Sequence, residues 1–201
     1  MKKIIYGILA ITAAISIYYG LTQTSESEED YAVRVNTERE KQNRWMKSSQ
    51  ESPFVVHKIN FSKLDYYYPT TNFKVYARYE LLNSPSNVIL ATSEGEQRTY
   101  DALGTAHFEI NGIQNELTVF RSEDDNGSAF IPFLDATSSN TTYGGGRYLE
   151  TKLPRGKTIL LDFNKAYNPY CAYTDGYSCP FPPKSNILTV AIEAGEKNYQ
   201  N

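Results

Sequence analysis

The sequence predicts an all-β domain, an antiparallel β-sandwich or a partly open barrel, behind an N-terminal membrane or signal helix and a polar flanking helix. Three observations lead there. From Pro53 onward polar and apolar residues alternate with a period of two, the pattern of half-buried strands. Turn residues recur between these short runs, with no βαβ rhythm and no internal repeat. Tyrosine is abundant, 17 of 201 residues, and aromatic side chains favour pleated, half-buried surfaces.

The elements divide into residues 1–24 as signal peptide or signal anchor, 25–52 as polar linker and helix, and 53–201 as one β-rich domain. Met1-Lys2-Lys3 precedes an uncharged run from Ile4 to Leu21, 18 residues. That is enough for a spanning helix and also fits a signal-peptide core. The two lysines hold the N-terminus in the cytoplasm, so the rest of the chain is expected to be exported. Ala14-Ile15-Ser16 offers a small-x-small cleavage site, but Ile17, Tyr18 and Tyr19 prolong the apolar run past it. An uncleaved anchor is favoured, which makes the membrane a partner. No cysteine lies nearby, which excludes a lipid-modified anchor.

Residues 26–48 carry opposite charges at i, i+4 (Arg34/Glu38, Glu40/Arg44) and two capping boxes, Ser25-x-x-Glu28 and Thr37-x-x-Glu40. Apolar residues are sparse, so a solvated helix pinned at the domain edge by Trp45 is expected. Strands are expected at Phe54–Phe61, Phe73–Leu81, Val88–Thr92, Arg98–Asp101, Thr105–Asn111, Ile113–Arg121, Ala129–Phe133, Arg147–Lys152, Thr158–Phe163 and Ile187–Glu193. Asn111-Gly112 predicts a tight hairpin, because both residues tolerate positive φ. Asp124-Asp125-Asn126-Gly127 predicts another turn. Residues 164–186 form a long segment rich in Tyr, Pro and Cys, the kind that often carries function.

Charge excludes one class of partner. The formal charge is −3, and setting aside Lys2 and Lys3 leaves 18 basic against 23 acidic residues. A nucleic-acid protein needs a basic face, so no nucleic acid is expected.

No catalytic or cofactor motif is complete, and no cofactor or metal is expected. Cys171 and Cys179 are the only cysteines, and in an exported chain a close pair predicts a disulfide. A metal site with His57 and His107 is the alternative, but CxxC spacing is missing. Asp124, Asn126 and Gly127 hint at a calcium loop that has no closing Glu. Gly144-Gly145-Gly146 lacks the Lys-Ser/Thr of a P-loop and leads into a strand.

The densest pattern lies in the C-terminal half. It comprises Phe133-x-Asp135-x-Thr137, Thr142-Tyr143-Gly144-Gly145-Gly146-Arg147-Tyr148 and Asp162-Phe163-Asn164-Lys165-Ala166-Tyr167-Asn168-Pro169. Cys171-Ala172-Tyr173, Cys179-Pro180-x-Pro182-Pro183-x-x-Asn186 and Ala194-Gly195-Glu196-Lys197 follow. This resembles the bacterial family catalogued as domain of unknown function 1684, across residues 53–197. Tyr170, Phe181 and Ser139-Asn140 depart from the usual proline, leucine and glycine. The resemblance implies a domain and no activity.

The candidate polar cluster is therefore Asp135, Thr137, Tyr143, Arg147, Tyr148, Asp162, Asn164, Tyr167, Asn168 and Tyr173. An Arg in an aromatic frame suits a carboxylate or phosphate. Architecture is the competing explanation: Arg147 pairs with Asp135 or Asp162, and Asn164, Asn168 and Asn186 satisfy loop backbone. The expected function is a binding or structural module of the cell envelope, with a small molecule or glycan as candidate ligand. The alternative is a hydrolase acting through Asp135, Asp162 and a tyrosine. Convergence of these side chains on an open cleft favours a site; burial and full bonding of Arg147 favours architecture.

Overall fold

A computed structural model describes Thr12 and residues 26–122, 127–154 and 156–200. The expected membrane or signal helix lies outside the described residues, Thr12 apart, as does Asp124-Asp125-Asn126 with its calcium-loop likeness. Among the described residues no helix is long and apolar enough to cross a membrane.

Among the described residues the protein is mostly β, with one long helix, and not purely β. Six strands form one antiparallel sheet in the order β5-β4-β3-β2-β1-β6. They are β1 (Lys74–Ala91), β2 (Gln97–Ile110), β3 (Ile113–Arg121), β4 (Ser128–Phe133), β5 (Arg147–Lys152) and β6 (Thr158–Asp162). Of the two expected architectures the barrel is found and the sandwich is not, because the sheet curls until its edges meet. Tyr148 and Tyr167 exchange backbone hydrogen bonds at 2.9 and 3.0 Å, and Thr151 Oγ1 donates to Leu160 O at 2.8 Å. Those bonds nearly close the seam between β5 and β6 and cover edges that would otherwise be open.

Alternation along the strands separates two faces. Ala106, Phe108, Leu117, Val119, Ile131, Leu149 and Leu161 point inward to fill the barrel. Phe120, Phe130 and Tyr148 point outward, where Leu90, Tyr100 and Ala102 cover them. The covering residues belong to the far ends of β1 and β2, which extend past the barrel. A register shift between Ala102 and Gly104 lets β2 serve both faces. The four runs expected at 73–81, 88–92, 98–101 and 105–111 are thus two long bent strands. The Asn111-Gly112 hairpin is present, with φ of 53° and 77°.

Two expected strands are absent. At Phe54–Phe61 the chain opens with a short helix, α2 (Pro53–Val56), capped by Ser52. Ser followed by Pro at the first helical position is a helix start, and it outweighs the apolar alternation. Residues 187–193 run as irregular chain, although Leu188, Val190, Ile192 and Ala194 are all buried in the barrel core. Their period-two burial is genuine, but their neighbour is the bend at 134–136 rather than a strand. Leu188 N donates to Leu134 O and Ala136 N to Val190 O.

The long helix α1 (Glu28–Ser48) is capped by Ser27, whose Oγ accepts from Asp30 N at 3.1 Å. Ser25, of the other expected box, lies outside the described residues, and Thr37 lies inside the helix, donating from Oγ1 to Val33 O. α1 is polar and Trp45 does pack at the domain edge, against Met46, Phe54, Leu64 and Tyr173, but the helix is anchored along more of its length than a solvated helix would be. Tyr31, Ala32, Val35, Arg39 and Met46 are buried on its inner stripe, whereas Trp45 is half-buried. Tyr31, Val35 and Arg39 are spaced i, i+4, i+8, one helical face, and that face lies against the end of β6.

Candidate functional site

The predicted cluster does not assemble as one open site. It divides into three buried networks and one aromatic groove.

Arg147, at the start of β5, is 1% exposed and, among the described residues, the largest fully buried side chain. Its Nη2 donates to Asp135 Oδ2 at 2.8 Å and to Ile192 O at 2.9 Å. Its Nη1 donates to Ala194 O and to Glu196 O. The other Asp135 oxygen accepts from Thr137 N at 2.8 Å, Thr137 Oγ1 at 2.6 Å and Ile192 N at 3.2 Å. The Phe133 ring lies beneath the guanidinium at 5.3 Å. Gly146 precedes Arg147 at φ +93°, and a Cβ there would stand 2.8 Å from Phe133 O, so this position needs glycine. Arg147 thus ties the C-terminal segment to the barrel by satisfying three of its carbonyls, and Asp135, held by Thr137, accepts from Ile192 N. This explains why residues 187–196 stay ordered without a strand partner.

Asp162 is not the second partner of Arg147. Its Oδ1 accepts from the buried Tyr31 hydroxyl at 2.6 Å and from Asn164 Nδ2 at 3.2 Å. Asn164 in turn bonds Thr70 N and O at 3.0 and 2.9 Å. Asp135 and Asp162 therefore serve separate networks, and the carboxylate pair required by the hydrolase alternative is not assembled in an open cleft.

The third network centres on Glu196, 1% exposed. It accepts from Tyr173 Oη at 2.6 Å, Asn168 Nδ2 at 2.8 Å and Asn168 N at 3.2 Å. Burial pushes its carboxyl up to about 7, against the lowering effect of those hydrogen bonds and of Arg147. Asn168 and Tyr173 are thus structural partners of a buried acid. Asn186 similarly bonds Thr118 N and O and Pro132 O.

What remains open is aromatic. Tyr148 and Tyr167 line two adjoining hollows of about 200 and 380 Å³ on the outer face of the barrel, and Arg98 and Pro180 line both. The floor is a chain of ring contacts: Tyr100 to Phe130 at 5.7 Å, Phe130 to Tyr148 at 4.9 Å and Tyr148 to Tyr167 at 5.9 Å. The wall is Tyr170 against Tyr177 at 5.1 Å, carried by the segment around the Cys171–Cys179 disulfide. Ser93 fixes that segment to the end of β1: its Oγ donates to Tyr177 O at 2.8 Å and accepts from Cys179 N at 3.1 Å. Two hydroxyls point the rings. Tyr148 Oη donates to Pro180 O at 2.8 Å, and Tyr167 Oη donates to Glu150 Oε1 at 2.7 Å. Burial, together with the Glu150 charge, pushes the Tyr167 hydroxyl well above its ordinary range, so it remains a donor. Tyr143 is half-buried and lines neither hollow. Arg98, Tyr100, Phe130, Glu150, Tyr170 and Tyr177 are absent from the predicted cluster; the Tyr and Pro content of residues 164–186 was the signal that pointed towards part of them.

Among the described residues no three His, Cys, Asp or Glu side chains group to hold a metal. The two cysteines form the disulfide instead of joining His57 and His107.

The protein is thus a nearly closed antiparallel barrel whose C-terminal segment is locked by a buried Arg–Asp pair. The chain matches, over residues 59–197, the family described as protein of unknown function (DUF1684), and it belongs to that family. It is also similar to an uncharacterized protein of Haloarcula marismortui solved by solution NMR, at 35% identity and a TM-score of 0.66, covering 84% of this chain and 95% of that one. No curated protein matches.

Proposed function

We propose that the protein is an extracytoplasmic binding module of the cell envelope, and that its outer aromatic groove takes a short glycan. One observation carries the ligand class: buried rings floor the groove, half-buried tyrosines wall it, and Arg98 and Glu150 stand at its rim. Aromatic faces pack against the apolar faces of sugar rings, while a few placed polar groups bind hydroxyls. The disulfide sets the spacing of the wall, which keeps Tyr170 and Tyr177 in place before a ligand arrives and reduces the ordering cost of binding. Export is supported by Lys2-Lys3 before the apolar run and by the disulfide, a bond suited to an oxidising compartment.

The test is a thermal-shift screen of the full chain against envelope oligosaccharides, short peptides and metabolites. A ligand that binds only the native state at a hundred times its Kd adds about 2.7 kcal/mol. An oligosaccharide is expected to raise the melting temperature and to lose its effect in Tyr177→Ala. Stabilisation by peptides alone would overturn the glycan assignment. A reporter fused after Asn201 that is active only in the cytoplasm would overturn export.

A further inference from the structure

A third hollow, of about 290 Å³, lies between α1 and the barrel seam, and it holds an unusual cation. Arg39 lines it and is 8% exposed. Its Nη1 donates to Tyr67 O at 2.7 Å and its Nη2 to Asn164 O at 3.1 Å, both neutral carbonyls. Its Nε has no hydrogen-bond partner. Among the described residues every ion pair of an arginine or lysine within 4 Å belongs to another side chain, so no carboxylate neutralises Arg39 directly. The Tyr66 ring covers the guanidinium at 4.5 Å, which supplies part of the missing compensation. Burial lowers the guanidinium from its ordinary range, the direction expected of an unpaired buried cation. By contrast, Arg147 is still more buried and has its carboxylate.

We propose that this cleft binds a small monocarboxylate with a flat apolar body, whose carboxylate enters between Arg39 and Lys165. Lys165 Nζ now meets Glu38 Oε2 at 2.8 Å across the rim, with both side chains about 40% exposed. An exposed pair of that kind is worth little, so an incoming carboxylate can replace Glu38. Val35, Ala166 and the rings of Tyr66 and Tyr167 give the body an apolar slot. Glu38 and Glu150 line the same cleft, and their charge favours a monoanion over a phosphate dianion. This site is separate from the glycan groove, although Tyr167 and Glu150 form the ridge between them.

The experiment titrates benzoate into the isotopically labelled full chain, with benzyl alcohol as neutral counterpart and phenyl phosphate as dianion. Benzoate is expected to bind more tightly than either and to shift the amides of Arg39, Tyr66 and Ala166. Arg39→Lys, which loses the planar fork, is expected to weaken binding by about tenfold. Lys165→Met is expected to weaken it, and Glu38→Gln to tighten it by releasing Lys165. The last two variants change exposed residues, so the result does not depend on Arg39 variants folding. Equal binding of benzyl alcohol, tighter binding of phenyl phosphate, or indifference to Lys165→Met and Glu38→Gln would each overturn the proposal. So would shifts confined to Arg98 and Tyr177.

Discussion

Replacing Arg147 by alanine removes the guanidinium from a site that is 1% exposed and leaves Asp135, 5% exposed, without its cation. Breaking a buried ion pair from one side costs about 3–5 kcal/mol, because the surviving charge stays desolvated. Asp135 keeps three donors, Thr137 N, Thr137 Oγ1 and Ile192 N, which places the charge term towards the lower end of that range. The carbonyls of Ile192, Ala194 and Glu196 lose their donor as well, and each buried acceptor left unmet costs about 1–3 kcal/mol. Partial exposure of the C-terminal segment will recover some of this, so a loss of about 4–5 kcal/mol is expected. Against an ordinary total of about 5–15 kcal/mol this brings the variant near unfolding. The assay is urea unfolding of the full chain, followed by Trp45 fluorescence and far-ultraviolet circular dichroism, for wild type, Arg147→Ala, and Asp135→Asn combined with Arg147→Met. The double variant removes both charges and is expected to be less destabilised than the sum of its single changes. A loss below about 1 kcal/mol for Arg147→Ala, the range of exposed pairs, would refute the structural role.

Three further outcomes follow from the same structure. Glu196 has its folded value raised to about 7 from 4.5, so the folded state holds a proton that the unfolded chain releases, and stability falls as pH rises from about 4.5 to about 7, by roughly 3 kcal/mol at most; Glu196→Gln should flatten that slope in pH-dependent urea unfolding, and an unchanged slope would contradict it. Replacing Cys171 and Cys179 by serine opens a short loop and should lower stability by about 2–3 kcal/mol in the chain-entropy account, with increased hydrogen exchange at Tyr177, whereas a loss of stability with Tyr177 protection unchanged would show that the disulfide does not set the groove wall. Tyr31→Phe deletes the 2.6 Å bond to buried Asp162 and should cost about 1–3 kcal/mol; a neutral result in thermal unfolding would mean that α1 is not anchored there.

Much of the sheet was legible because period-two burial and turn chemistry agree. Ile113–Arg121 and Arg147–Lys152 occur with the bounds expected of them, and Asn111-Gly112 turns as its residues require. Where the pattern failed, burial was right and the hydrogen-bond partner was not visible. Residues 187–193 alternate because they line a barrel, but Ile192 O goes to Arg147, 45 positions away, and Val190 O to Ala136 N. The helix looked solvated because one turn of its buried stripe is an arginine, Arg39, and another is a tyrosine that bonds Asp162. The sequence pattern offered Asp135 and Asp162 as alternative partners of Arg147, since a buried guanidinium needs an acid, but could not choose between them. The groove was legible only in its wall, residues 164–186. Its floor combines β2, β4 and β5 through a register shift that no local signal announces.

The most direct test of the account is chemical-shift mapping on the labelled full chain with the oligosaccharide that stabilises it most. Shifts are expected at Arg98, Tyr148, Tyr167 and Tyr177, with Asp135 and Arg147 unmoved. Shifts centred on Asp135 and Arg147, with the groove residues silent, would contradict it.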